Sequence, residues 1–182
     1  AVWFGCINAC REIAKEKSIY QRERLFGLNI GAYLASKVKI LCLIGLIEMF
    51  LFYFLINRYL DLDLTVVLSF LSLFGVYFSG MCLGLMLSRW FGSVAKAVIA
   101  VPVAIIPQIV FSKFVLPENT LKGAGVKIEK LMVVKWGFEA LKDCKKGEIA
   151  YGDYTVSMLI LIGLGLMFLI LTLFHLWFAG EE

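Results

Sequence analysis

The chain is expected to be all-α, a polytopic helical membrane protein, and three observations predict this. Four long apolar stretches, residues 40–57, 64–87, 97–116 and 154–179, dominate the sequence. Each is close to the roughly 20 helical residues that cross a bilayer core. Charged residues make up only 18% of the chain, and they gather almost entirely between the stretches. Hydrophobic residues make up 61% and mean hydropathy is +0.87, more apolar surface than a soluble domain of 182 residues can hide. A β-barrel would show short alternating segments instead.

Residues 1–9 (AVWFGCINA) are apolar, uncharged and run straight into Arg11. They lack a basic leader, a small-residue cleavage site and an initiator Met. They read as the end of one span whose beginning is missing, and the chain as N-terminally truncated. Residues 11–39 then hold Arg11, Lys15, Lys17, Arg22, Arg24, Lys37 and Lys39 against Glu12, Glu16 and Glu23. The loop 88–96 adds Arg89 and Lys96, whereas the link 58–63 has one Arg and two Asp. The excess of Lys and Arg puts 11–39 and 88–96 in the cytoplasm and 58–63 outside. The loop 117–153 is then external; its seven Lys are accompanied by six acidic residues, and its length removes it from the orientation vote. His175, an interfacial residue, and Glu181–Glu182 end inside. The sum is the end of one span plus four complete transmembrane helices in the plasma (cell inner) membrane.

Between the partial span and the first complete one, residues 15–37 (KEKSIYQRERLFGLNIGAYLASK) can place Ile19, Leu25, Leu28 and Ala32 on one helical face. Tyr20, Arg24 and Lys17 fall near another. This predicts a single amphipathic helix at the inner interface. Glu48 is the acid inside a span. Ionised there it costs at least about 2.5–3.5 kcal/mol, so it faces a cavity, serves a proton relay or bonds a neighbouring helix. Gly75, Ser79, Gly80, Gly163 and Gly165 permit close helix approach. Pro102 and Pro107 predict kinks in the stretch 97–116. The apolar-aromatic patch 131–141 predicts a short helix on the membrane surface or dipping into it, with Trp136, Phe138 and Tyr151 as interface anchors. Cys6 and Cys10 have helical spacing but lack His or acidic partners for a metal. Cys144, alone in the polar loop, is either free or bridged to another chain.

Three motifs occur in order. The first is Glu16-Lys17-x-Ile19-Tyr20-x-Arg22-Glu23-Arg24-x-x-Gly27-Leu28, followed by Ala32-Tyr33-x-x-Ser36-Lys37 ahead of a span. The second is IPQIVFSKFVLP over 106–117, and the third VVKWGFEAL over 133–141. Together they resemble the ABC-2 type transporter membrane domain, most closely the G-subfamily (White/pigment-type) half-transporters and their bacterial relatives. The second departs from the family's P-x-x-x-F-S-G-x-x-x-P at Lys113, and the third from P-x-R-W-x-F-E-A-L at Val134 and Lys135. The resemblance implies one permease domain over 1–182, lacking the first span, with a cytoplasmic coupling segment at about 11–39 and an external loop at about 117–153. It further implies that Glu16, Tyr20, Arg22, Glu23, Arg24 and Gly27 couple to a nucleotide-binding domain. Phe4, Asn8, Ile106 and Ile109 become candidates for the substrate cavity, and Trp136, Phe138 and Glu139 belong to a re-entrant external gate.

No G-x-x-x-x-G-K-[ST] loop is present, so this chain offers no usual phosphate cradle of its own. By the resemblance, ATP and Mg are bound by an associated nucleotide-binding domain, upstream on the same polypeptide or on a separate subunit. A second transmembrane domain, identical or not, completes a dimer that works by alternating access, as an exporter. A channel or scaffold subunit is the alternative, but the sequence lacks polar pore-lining repeats or a filter-like loop. An intramembrane enzyme would need clustered polar groups, whereas Glu48 and His175 lie in different spans.

Overall fold

The computed structural model describes residues 1–60, 65–110, 129–144 and 150–178. Its described elements are helical: α1 (Val2–Ala9), α2 (Glu12–Lys15), α3 (Lys17–Leu25), α4 (Ile30–Leu60), α5 (Val66–Phe91), α6 (Val94–Val110), α7 (Val133–Lys142) and α8 (Tyr151–Phe178). The expected all-α polytopic architecture is therefore present. Three helices are long and apolar enough to cross a membrane, Ile30–Tyr59, Val66–Phe91 and Tyr151–Phe178. The apolar helix Val94–Val110 is shorter at 17 residues and runs through both Pro102 and Pro107. The remainder of the predicted 97–116 stretch lies outside the described residues, and so do Lys113 and most of the second motif.

The expectation of one amphipathic helix over 15–37 is corrected. The segment breaks into the single turn α2, the nine-residue α3 and the first turns of α4. The break has two local causes. Gly27 takes φ +87, a left-handed conformation that a side chain resists. Two residues on, the Asn29 side-chain oxygen accepts from the backbone N–H groups of Gly31 and Ala32, capping the start of α4. Ile19, Leu25 and Ala32 are exposed on the surface of the bundle, and Tyr20 is the residue of α3 that enters the core.

α5 is the axle of the bundle. It packs against α1, α2, α4, α6, α7 and α8, and most of its length is buried. α1 lies along it in parallel, with Val2 at Gly80 and Cys6 and Ala9 at Gly84. A Cβ on Gly80 would come within 2.5 Å of the Val2 carbonyl oxygen, and one on Gly84 within 2.5 Å of that of Cys6. Gly5 answers from α1, where a Cβ would strike the Tyr77 carbonyl. The Gly80-x-x-x-Gly84 spacing thus lets two backbones touch, as small residues do in membrane bundles. On its other side α5 meets α8, also in parallel. Tyr154 Oη donates to the Leu68 carbonyl at 3.2 Å, Gly75 faces Met158, and Ser79 Oγ donates to the Leu161 carbonyl at 2.7 Å. Gly165 joins this contact against Phe78, but Gly163 is exposed with no neighbour and takes no part.

α7 lies beside the first half of α5. Cys144, just past its end, faces Ser72, and its carbonyl accepts from Thr65 N–H at 2.9 Å, while Gly137 sits against the Val76 side chain. From Thr65 to Val76 is a rise of about 16 Å along α5. The patch 131–141 therefore enters the bundle rather than lying flat on its surface.

Substituting Gly84 by Ile should force α1 off α5 and destabilise the protein by at least the roughly 1–3 kcal/mol of an overpacked core. Thermal unfolding in detergent measures it. Gly163→Ile, into open space, should leave the Tm within a degree or two of wild type.

Candidate functional site

One end of the bundle gathers the ends of α1, α5 and α8, the start of α4 and the whole of α2 and α3. Here α2 is tied to α5: Ser88 Oγ accepts from the backbone N–H groups of Ile13 at 3.1 Å and Ala14 at 2.9 Å. This meets the orphan donors of a helix start that has no cap of its own. α2 and the start of α3 are tied to α4 through Lys37, whose Nζ lies 2.6 Å from Glu16 and 3.6 Å from Glu12. Tyr33 Oη also donates to Glu16 at 3.3 Å.

α3 is tied to α8. Tyr20 is only 3% exposed, its ring 5.0 Å from that of Tyr33 and 6.0 Å from the Arg89 guanidinium. Arg24 donates from Nη1 to the Leu176 carbonyl at 2.7 Å and from Nη2 to the Trp177 carbonyl at 2.8 Å. Tyr20 Oη donates to the same Leu176 carbonyl at 3.4 Å. A cation with a two-pronged donor satisfies carbonyls that the helix leaves open and opposes the negative end of its dipole.

The six residues of the first motif therefore divide. Glu16, Tyr20 and Arg24 hold the segment to the spans, and Gly27 makes the turn. Arg22 and Glu23 are exposed, beside an apolar knob in which Leu25 is 86% and Phe26 91% exposed. Ser88, on the far side of this assembly, escaped the sequence reading and Arg89 entered it only as an orienting charge, because their partners lie more than 60 residues away.

Within the spans, Asn8 and Glu48 meet. Asn8 Nδ2 lies 2.9 Å from one Glu48 carboxylate oxygen and 2.8 Å from the other. One turn away along both helices, Phe4 and Phe52 pack edge to face with centroids 5.8 Å apart. Phe4 and Asn8 thus turn toward α4. Ile106 and Ile109 lie on the exposed side of α6, whose buried side carries Val101, Ile105 and Gln108. Within this chain the four cavity candidates do not form one wall.

At the opposite end, Trp136 Nε1 donates to the Lys130 carbonyl at 2.8 Å. Lys135 is buried between Glu129 at 3.6 Å and Glu139 at 3.9 Å, with its ammonium 4.6 Å from the Trp136 ring centroid. Phe138 is exposed. Trp136, Phe138, Glu139, Asp143 and Asp153 line a cavity of about 430 Å³ between α7 and α8. Burial raises the Asp143 carboxyl above its ordinary value, and the nearby charges of Asp153 and Glu139 add to the rise. The Cys144 thiol is fully buried, donates to the Ala140 carbonyl at 3.0 Å and faces Ser72. In this arrangement its sulfur is not accessible to another chain.

The family model for the ABC-2 type transporter matches residues 1–144. The chain belongs to that family. A comparison with curated proteins gave no match. As an ABC-2 membrane domain it is a permease component of an ABC transporter and an integral membrane protein. ABC-2 membrane domains pair with nucleotide-binding domains and dimerise. The match ends at the buried Cys144; α8 beyond it packs along α5, and Arg24 donates to carbonyls at its end.

Arg24→Gln should uncap α8. Hydrogen exchange in Phe174–Phe178 should rise and the Tm fall, in keeping with about 1.5–3 kcal/mol for a hydrogen bond to a charged group; unchanged exchange would remove the cap. Asp143 holds its proton more tightly folded than unfolded. Its contribution to stability is therefore full below the ordinary aspartate range and is lost as pH rises. Asp143→Asn should raise the Tm at pH 7 and lose that advantage at pH 3.

Proposed function

We propose that this chain is the membrane half of an ATP-driven exporter of the G-subfamily type, with α3 as the coupling element. The observation that carries the reading is the division of α3. One face is bonded to α8 and, through the Glu16–Lys37 pair, to α4; the other offers Arg22, Glu23, Leu25 and Phe26. Such a helix passes a push at its exposed end into two spans at once. An apolar knob flanked by one base and one acid suits a protein groove with complementary charge.

In this reading the α2–α3 end is cytoplasmic, in line with the excess of Lys and Arg there. A nucleotide-binding domain, fused or separate, holds ATP and Mg and docks on α3. Two transmembrane halves face each other, and closure of the nucleotide domains rocks them between inward and outward states. Phe4, Asn8, Ile106 and Ile109 contribute to the cavity between the halves. The α7 region with Trp136, Phe138 and Glu139 serves as the outer gate, seated on α5 where Gly137 meets Val76 and Cys144 meets Ser72.

The test is the complete transporter, with its nucleotide-binding domain, in lipid nanodiscs. Vanadate-sensitive ATP hydrolysis should be present. Glu23→Arg and Phe26→Asp should each lower hydrolysis or transport at least tenfold, while the protein still inserts with wild-type elution. Full coupling in both variants would remove α3 from the role. Absence of hydrolysis with no nucleotide-binding domain bound would remove the ATP-driven reading.

A further inference from the structure

The α1–α4 seam carries an acid with no basic partner among the described residues. Glu48 stands about 27 Å along α4 from Ile30, near the middle of a 31-residue helix. A glutamine there would keep one of the two contacts to Asn8. The carboxylate instead brings a negative charge to an apolar level, where polar groups of this kind mark ligand and ion paths. Lys135, the charge buried at the opposite end, has two acids beside it. Among the described residues no ion pair includes Glu48. The Asn8 amide nitrogen lies within hydrogen-bond distance of both oxygens and fixes the carboxylate. Beside it the Phe4–Phe52 pair presents aromatic surface, with Phe4 45% exposed, and Ile44 and Leu51 add exposed apolar surface on α4.

We propose that this seam binds a lipophilic organic cation, its positive charge on Glu48 and its apolar body against Phe4 and Phe52. A carboxylate flanked by aromatic faces attracts a poorly hydrated cation through both charge and ring quadrupole. The proposal rests on the permease reading, because it names the class of cargo or modulator that the membrane domain recognises.

The probe is tetraphenylphosphonium, with tetraphenylborate as its anion of matched shape. Binding is measured without nucleotide, by equilibrium dialysis on the complete transporter in nanodiscs. Wild type should bind the cation and not the anion, and Glu48→Gln, which keeps one of the two Asn8 contacts, should weaken cation binding at least tenfold. Should that variant elute abnormally, Phe52→Leu carries the test with a loss of about threefold or more. Equal binding of cation and anion, or equal cation affinity in wild type and variants, overturns the site. A wild type that ignores the cation, together with a Glu48→Gln variant that falls from dimer to monomer, overturns it in favour of a counter-charge from a second copy. ATP hydrolysis in the same samples separates the two readings. Hydrolysis without cation binding overturns the site alone, and Glu48-dependent binding without hydrolysis supports the site and overturns the ATP-driven reading.

Discussion

Everything in this bundle hangs on the backbone contact between α1 and α5. Lipid chains are as apolar as leucine, so helices in a membrane gain little from hiding hydrophobic surface from one another. They gain from close packing, and packing is closest where Gly5, Gly80 and Gly84 let the two backbones come into contact. With α1 seated there, α5 has its opposite face free for Gly75 and Ser79 to receive α8, and Val76 to receive α7. The outcome is a dense axle with α4 and α6 on its flanks. α4 buries little of its apolar length, and Ile47, Phe50 and Phe54 look outward, to lipid or to a second membrane domain.

A rigid axle suits a machine moved from one end. α2 is seated on Ser88 of the axle itself, whereas α3 holds the end of α8 through Arg24. The short turn at Gly27 lets α3 double back onto these ends without continuing into α4. Were residues 15–37 a single straight helix, Tyr20 and Arg24 could not reach α8 while Lys37 reached Glu16. The polar contacts here are short and several are charged, so they fix geometry in a region where water would otherwise compete for each of them.

Much of this was legible in the sequence and some was not, for physical reasons. Span length and charge segregation are one-dimensional properties, and the spans followed from them. Small residues on α5 were recognisable as packing sites because only close approach rewards them in a membrane. The same logic did not separate Gly165 from Gly163, since which face of α8 meets α5 depends on contacts made elsewhere. The broken segment was misread because its apolar residues fit one helical period when the break is ignored. Its signals were present: a glycine able to turn left-handed, then an asparagine placed to cap the next helix. The Asn8–Glu48 bond joins residues 40 positions apart, and no local pattern reports the register between two spans. Both residues were noticed singly, Asn8 as a cavity candidate by resemblance and Glu48 as an acid inside a span, and the fold supplied the pairing. The burial of Lys135 was likewise invisible, because its partner Glu129 lies ahead of α7 rather than on it.

The thiol of Cys144 turns the α5–α7 seam into something that can be watched. It lies sealed against Ser72 and Ala140, while the other four cysteines sit on or at the end of α1, α4 and α5. A water-soluble alkylating reagent therefore finds Cys144 only while α7 stands away from the axle. The rate of its modification is a clock for that separation, with a reporter native to the molecule.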